Sequence, residues 1–167
     1  MKIVGDHLAR IAFSSRADPD RFDLFARSAF NRYYYSVFLT VRAALRTIDA
    51  KWAKPAHKDL PVLLTGKVVV RLQERISICK RTGQITEAEA ARLYSKAASA
   101  AQNLSQLLNT AREVRRVADY EPEERVGRNR DSPVLAKCTI GTASGWQRRA
   151  DTDARAILSA YGQLGLI

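Results

Sequence analysis

The sequence predicts an all-α fold, a four- to five-helix up-and-down bundle in one domain. Three observations point there. Apolar residues recur at three- and four-residue steps through four long stretches, the period of one buried helix face. Proline and glycine fall between those stretches rather than inside them. No segment reads better as a strand than as helix or turn. The length of 167 residues fits a single domain, and 46% hydrophobic with 27% charged residues excludes global disorder.

The first helix is predicted over about 1–15, ending before Pro19, which disfavours helix at the residue preceding it. Asp18 or Asp20 can cap the next helix. That second helix is predicted over about 21–48. Phe22, Phe25, Ala26, Ala29, Phe30, Tyr33, Tyr34, Val37, Val41, Ala44, Leu45 and Ile48 line its apolar face, and Arg27, Arg42 and Arg46 fall outside it. Residues 51–61 read as a loop holding two prolines. A third helix over 62–81 carries Val62, Thr65, Val68, Val69, Leu72, Ile76 and Cys79 on one side; its length outweighs the β-branched run Val68–Val70. Gly83 breaks the chain, and Thr86 with Glu89 forms a capping box.

The fourth helix runs uninterrupted to about Asp119, roughly 50 Å at 1.5 Å per residue. Ala91, Tyr94, Ala98, Ala101, Leu104, Leu107, Leu108, Ala111, Val114 and Ala118 mark its predicted apolar stripe. The core of the domain therefore spans about 1–122. A charged and Thr/Gly-rich connection comes next over 123–144, with Thr139–Thr142 a poor helix former, and a last helix covers 145–162.

The charge balance points to polyanionic partners. Lys and Arg number 28 against 17 Asp and Glu, a formal +11. Residues 42–81 hold ten of those cations against Asp49, Asp59 and Glu74. Lys67, Arg71 and Arg75 stand at i, i+4 and i+8, a ridge able to follow a phosphate backbone or simply a solvated face. Tyr33–Tyr35 can stack bases, but they lie in an apolar periodic stretch and core packing explains them better.

Other chemistry finds little support. No uncharged apolar run approaches a membrane span, and the N-terminal residues lack a signal peptide's apolar stretch; a cytoplasmic protein is expected. Cys79 and Cys138 form no disulfide framework, and with His7 and His57 they lack metal-ligand spacing, so neither metal nor cofactor is predicted. Gly66-Lys67 is not a P-loop, because the upstream Gly and the following Ser or Thr are missing. Two histidines support no hydrolase triad. Glu123-Glu124 read as solvated.

The most informative segment is Ala111–Pro122, where Arg112, Glu113, Arg115, Arg116, Asp119 and Tyr120 crowd the end of the long helix. Val114, Val117 and Ala118 keep the apolar stripe, so the charged residues flank it. Their spacing permits a local salt-bridge network without any activity.

Three segments together resemble the HEPN domain family. Arg32-Tyr33-Tyr34-Tyr35-Ser36-Val37-Phe38 resembles the R-x-Y-Y-x-x-F signature of its second helix. Arg115-Arg116-Val117-Ala118-Asp119-Tyr120 resembles the R-N-x-A-D-Y ending of many bacterial members, and His57-Lys58 the step before their third helix. The resemblance covers about 1–125 in the expected order. It implies a helical bundle that dimerises through its long helices and brings an arginine from each subunit into a cleft. Many members are metal-independent ribonucleases of toxin–antitoxin or antiviral defence systems. Their motif places His four to six residues after the Arg; here Tyr120 stands at that place and Arg116 where Asn is common.

Metal-free RNA cleavage needs a base for the 2′-hydroxyl, an acid for the leaving oxygen and positive charge on the phosphorane. Arg115, with Arg112 or Arg116, can clamp phosphate. Tyr120, a phenol with an ordinary pKa near 10, can donate a proton but is a poor base. Asp119 can act as base or simply hold Arg115. Two functions are thus expected. One is a homodimeric HEPN-type ribonuclease or toxin-like defence effector, with Arg115, Tyr120 and Asp119 catalytic and Arg112, Arg116, Lys67, Arg71 and Arg75 binding RNA. The other is a non-catalytic HEPN module that binds RNA or nucleotide, or regulates a partner such as a nucleotidyltransferase. A cognate antitoxin or nucleotidyltransferase is the expected protein partner. A helical adaptor unrelated to nucleic acid is the third reading.

Overall fold

The structure, a computed structural model, describes residues 1–129 and 132–167. It is mainly helical: α1 (Lys2–Ser14), α2 (Pro19–Ile48), α3 (Leu60–Leu63), α4 (Val69–Arg81), α5 (Glu87–Tyr120), α6 (Ile140–Ser144) and α7 (Trp146–Gln163). A 3-10 turn spans Ala50–Trp52, and a π turn over Leu64–Val68 joins α3 to α4. Among the described residues no helix is long and apolar enough to cross a membrane.

The chain divides into two compact units, residues 1–38 with 108–149, and residues 39–107 with 150–167. In the first, Phe30, Tyr33, Tyr34, Val37, Leu108, Ala111, Val114, Leu135 and Trp146 are buried. Gly5 of α1 lies directly against the Tyr33 ring, and the Tyr33 hydroxyl donates to Asp6 Oδ1 at 2.9 Å. The second unit buries Leu45, Leu60, Leu64, Leu72, Leu104, Ile157 and Tyr161. The Tyr161 hydroxyl donates to the Val68 carbonyl at 2.6 Å, anchoring α7 on the π turn.

Helix ends follow local chemistry. Asp18 Oδ1 accepts from the amides of Asp20 and Arg21 at 3.1 Å and starts α2. The capping box forms as the sequence predicts: the Glu89 amide donates to Thr86 Oγ1 at 3.2 Å and the Thr86 amide to Glu89 Oε2 at 2.8 Å. The stripe on the first part of α5 is displaced by one residue from expectation. Ala90, Leu93 and Ala97 are buried, while Ala91 and Tyr94 are exposed. Alanines on every face of residues 88–101 leave the sequence without a phase there.

The connection after α5 is the largest correction. Three short strands build an antiparallel sheet in the order β1 (Gly127–Asn129), β2 (Ser132–Leu135) and β3 (Cys138–Thr139). Gly127 pairs with Val134, Asn129 with Ser132, and Leu135 with Cys138. Arg130 and Asp131 of the predicted connection lie outside the described residues. The charged side chains are structural anchors here. The Val126 amide donates to Asp23 Oδ1 at 2.7 Å, and Arg128 covers the Phe22 ring at 4.5 Å while donating to the Arg16 carbonyl. Leu135 and Cys138 turn inward, and burial pushes the Cys138 thiol up to about 11. Thr139, read as part of a poor helix former, accepts from the Thr142 amide at 3.1 Å and caps α6.

The Asp6–Tyr33 bond couples stability to pH at both ends. Burial works against the Asp6 carboxylate, yet hydrogen bonds from Lys2 and Tyr33 outweigh it and hold its pKa below 3.8. Its contribution is present above the unfolded-state value and is lost as pH falls through the folded one. Burial first, then Asp6, raises the Tyr33 phenol above 10.0, so that contribution is present below 10.0 and lost as pH rises through the raised value. Stability should therefore be flat between about 4 and 10 with respect to this pair. Urea unfolding across pH checks this: Tyr33→Phe should soften the alkaline decline and Asp6→Asn the acid one. Unchanged slopes in both variants would refute the coupling.

Candidate functional site

The end of α5 and one face of α2 assemble a polar cluster in the first unit. Asp119 is its centre. Its Oδ2 lies 2.6 Å from Arg115 Nε, and its Oδ1 accepts from Asn31 Nδ2 at 2.6 Å. Both carboxylate oxygens are therefore engaged. Arg115 is one turn earlier on α5, which is why the i, i+4 spacing brings the pair together.

Arg115 is oriented but not saturated. Its Nε is buried beside Asp119 without a well-directed hydrogen bond among the described residues. Nη1 donates to the Tyr120 hydroxyl at 3.4 Å, a long contact, and the guanidinium sits 5.1 Å from the Tyr120 ring centre. Partial burial disfavours the cation, but Tyr120 and Asp119 outweigh it and raise its pKa, so Arg115 stays charged. Tyr120 itself is 66% exposed.

Beneath the cluster lie the tyrosines of α2. Tyr34 is buried, packs edge-on to Tyr35 at 5.4 Å and stacks with Phe38 at 6.2 Å. Burial pushes its phenol up to about 12 despite the opposing charges of Arg115 and Arg112. The run is mainly core, with Tyr35 half-exposed, as its apolar surroundings predict.

The remaining predicted residues divide sharply. Arg112 is exposed on α5 and makes no side-chain hydrogen bond or ion pair among the described residues. Arg116 is held between Glu113, at 2.7 Å, and Glu121, two carboxylates that compete with any phosphate. Of the anticipated salt-bridge network the Arg115–Asp119 pair forms, while Arg116 pairs with the two glutamates and Arg112 stays outside it. Lys67, Arg71 and Arg75 belong to the other unit. Arg71 pairs with Asp49 at 2.9 Å and lies 5.9 Å from the Trp52 ring centre, and Arg75 Nε donates to the Leu164 carbonyl at 2.9 Å. Only Lys67 stays exposed, so the ridge is mostly spent on structure.

Two site residues escape a reading of the sequence. Asn31 precedes the tyrosine run with nothing to mark it. Arg27, with a side chain only 11% exposed, closes the end of α5: Nη1 donates to the carbonyls of Val117 and Ala118 at 3.1 and 3.2 Å, and Nη2 reaches those of Pro122 and Glu124. Its partners are backbone atoms about ninety residues away, which carry no side-chain signature. Arg27, Ser28, Asn31, Arg32 and Asp119 line a small open pocket of about 250 Å3 beside the cluster. Among the described residues no group of three or more His, Cys, Asp or Glu side chains is placed to hold a metal.

Comparison of the chain with protein-family models, curated proteins and solved structures gives no match.

Proposed function

We propose that this protein acts on RNA as an HEPN-like homodimer, with Arg115 as the phosphate clamp, and that it cleaves RNA without a metal. The observation that carries this reading is the Arg115–Asp119–Tyr120 arrangement. A guanidinium is aimed by a carboxylate at its Nε edge, keeps donors unspent, and has a phenolic hydroxyl beside it. Arg115 neutralises charge that develops on the phosphorane as the 2′-oxygen attacks. Tyr120 gives its proton to the departing 5′-oxygen. Asp119 takes the 2′-hydroxyl proton once a bound substrate draws Arg115 or Asn31 away, and a 2′,3′-cyclic phosphate and a 5′-hydroxyl end result. The formal +11 and the exposed Arg112 and Arg32 favour an anionic ligand.

One observation favours the non-catalytic reading. Both Asp119 oxygens are occupied, and no histidine comes after His57, so among the described residues no unengaged base stands at the cluster. On that reading the same clamp binds RNA, or a nucleotide, and controls a partner such as a nucleotidyltransferase or an antitoxin.

Incubating labelled total RNA with the protein in EDTA, alongside sizing for the dimer, separates the two. Cleavage should fall about a hundredfold in Arg115→Ala, the loss typical of removing one charge-stabilising donor. Tyr120→Phe should keep RNA binding and lose cleavage. Binding by wild type that Arg115→Ala weakens, with no cleavage under any condition, establishes the second reading. Absence of both binding and cleavage overturns the proposal.

A further inference from the structure

The second unit carries an electropositive groove with no role in the cluster described above. Leu39, Arg42, Ala43, Arg46 and Thr47 follow one face of α2 at three- and four-residue steps. The chain leaving the 3-10 turn brings Ala53 and Lys54 alongside, and together they bound an open groove of about 850 Å3. Among the described residues three cations line it and no carboxylate does.

We infer that this groove is a second phosphate-backbone site for RNA, contacted by Arg42, Arg46 and Lys54. The inference rests on the reading of the protein as RNA-acting. Three features support it. First, the positive excess of residues 42–81 has to be expressed somewhere, and the Arg71 and Arg75 ridge is committed to Asp49 and to the Leu164 carbonyl. Second, the acid nearest in sequence is withdrawn from competition. Asp49 accepts from the Lys51 amide at 2.9 Å with one oxygen and from Arg71 at 2.9 Å with the other. Third, Arg46 and Lys54 are exposed and make no side-chain hydrogen bond or ion pair among the described residues, so both keep their donors for a ligand. The small side chains of Ala43 and Ala53 let a backbone approach closely, and a cleft lined by one sign of charge concentrates counter-charged ligands.

The test is the salt dependence of binding to a labelled oligouridine, followed by fluorescence anisotropy. For single strands each phosphate contact contributes about 0.7 to the slope of log affinity against log salt. Arg46→Ala/Lys54→Ala, which alters only exposed side chains, should lower the slope by about 1.4 and weaken low-salt binding about tenfold. Arg46→Lys should retain the slope. An unchanged slope in the double variant, with Arg115→Ala still weakening binding, overturns the groove and leaves the proposed function standing. A reduced slope in the double variant, with Arg115→Ala silent, supports the groove and removes Arg115 from the RNA site. Wild type that does not bind the oligonucleotide overturns both.

Discussion

Arg27→Ala is expected to cost about 3 kcal/mol of unfolding free energy, well above the effect of an ordinary surface substitution. The guanidinium touches the Val117, Ala118, Pro122 and Glu124 carbonyls while Nε donates to Asp23 at 2.8 Å. Hydrogen bonds to a charged group are worth about 1.5–3 kcal/mol each, far from additively. The one at Ala118 also satisfies a carbonyl that cannot accept from residue i+4, because that residue is Pro122, and it lies where the helix dipole favours a cation. The Val117 carbonyl also accepts from the Glu121 amide at 3.2 Å. Removing the side chain strands the Ala118 carbonyl and leaves the part-buried Asp23, among the described residues, with the Val126 amide alone. Arg27→Lys should recover only part of the loss, since one ammonium cannot span four carbonyls and a carboxylate. Urea unfolding measures both variants. A loss below about 1 kcal/mol for alanine would mean that water caps the helix as well as Arg27 does. Because Asp119 comes directly after Ala118, the same substitution should also loosen the Arg115–Asp119–Asn31 arrangement and, on the proposed function, lower RNA affinity.

The helices were legible because their signals are local. The Thr86–Glu89 box appears where the sequence places it, Pro19 opens α2 behind the Asp18 cap, and the apolar period holds along α2 but is shifted by one residue at the start of α5. The sheet of β1, β2 and β3 was not legible, because its strands are two to four residues long and its anchors are arginines. Arg128 on Phe22 and Arg125 paired with Asp20 turn an apparently solvated run into a docked one. The turn between β2 and β3 is disguised. Ala136 and Lys137 both take positive φ, +46° and +62°, without the Gly or Asn that normally announces a two-residue hairpin. The site was half legible. Arg115 and Asp119 meet because four residues separate them on a helix, a relation visible in the sequence. Asn31, which holds the other oxygen of Asp119, comes from 88 positions away and only the fold supplies it.

Gly5→Leu is expected to cost at least about 3 kcal/mol, and the reason lies in one close approach. A Cβ built at Gly5 would stand 2.8 Å from Tyr33 Cε1 and 2.9 Å from Cδ1, separations that packed atoms do not tolerate. Glycine inside a helix is itself unfavourable by about 1 kcal/mol relative to alanine. Its place in α1 therefore records a packing demand stronger than propensity. Tyr33 cannot yield easily, since its ring is 2% exposed and its hydroxyl is fixed on Asp6. Over-packing costs about 1–3 kcal/mol, and a leucine adds the displacement of that ring and the loss of its hydrogen bond. Gly5→Ala isolates the competition: the propensity gain and the Cβ clash oppose each other, and the clash should win by about 1 kcal/mol. Shrinking the opposing side chain removes the clash but not the propensity gain. In a Tyr33→Leu background, Gly5→Ala should thus become neutral or stabilising, and a double-mutant cycle reads that reversal as a coupling between the two positions. A cost for Gly5→Ala that is the same in both backgrounds would show that something other than the Tyr33 ring requires glycine there.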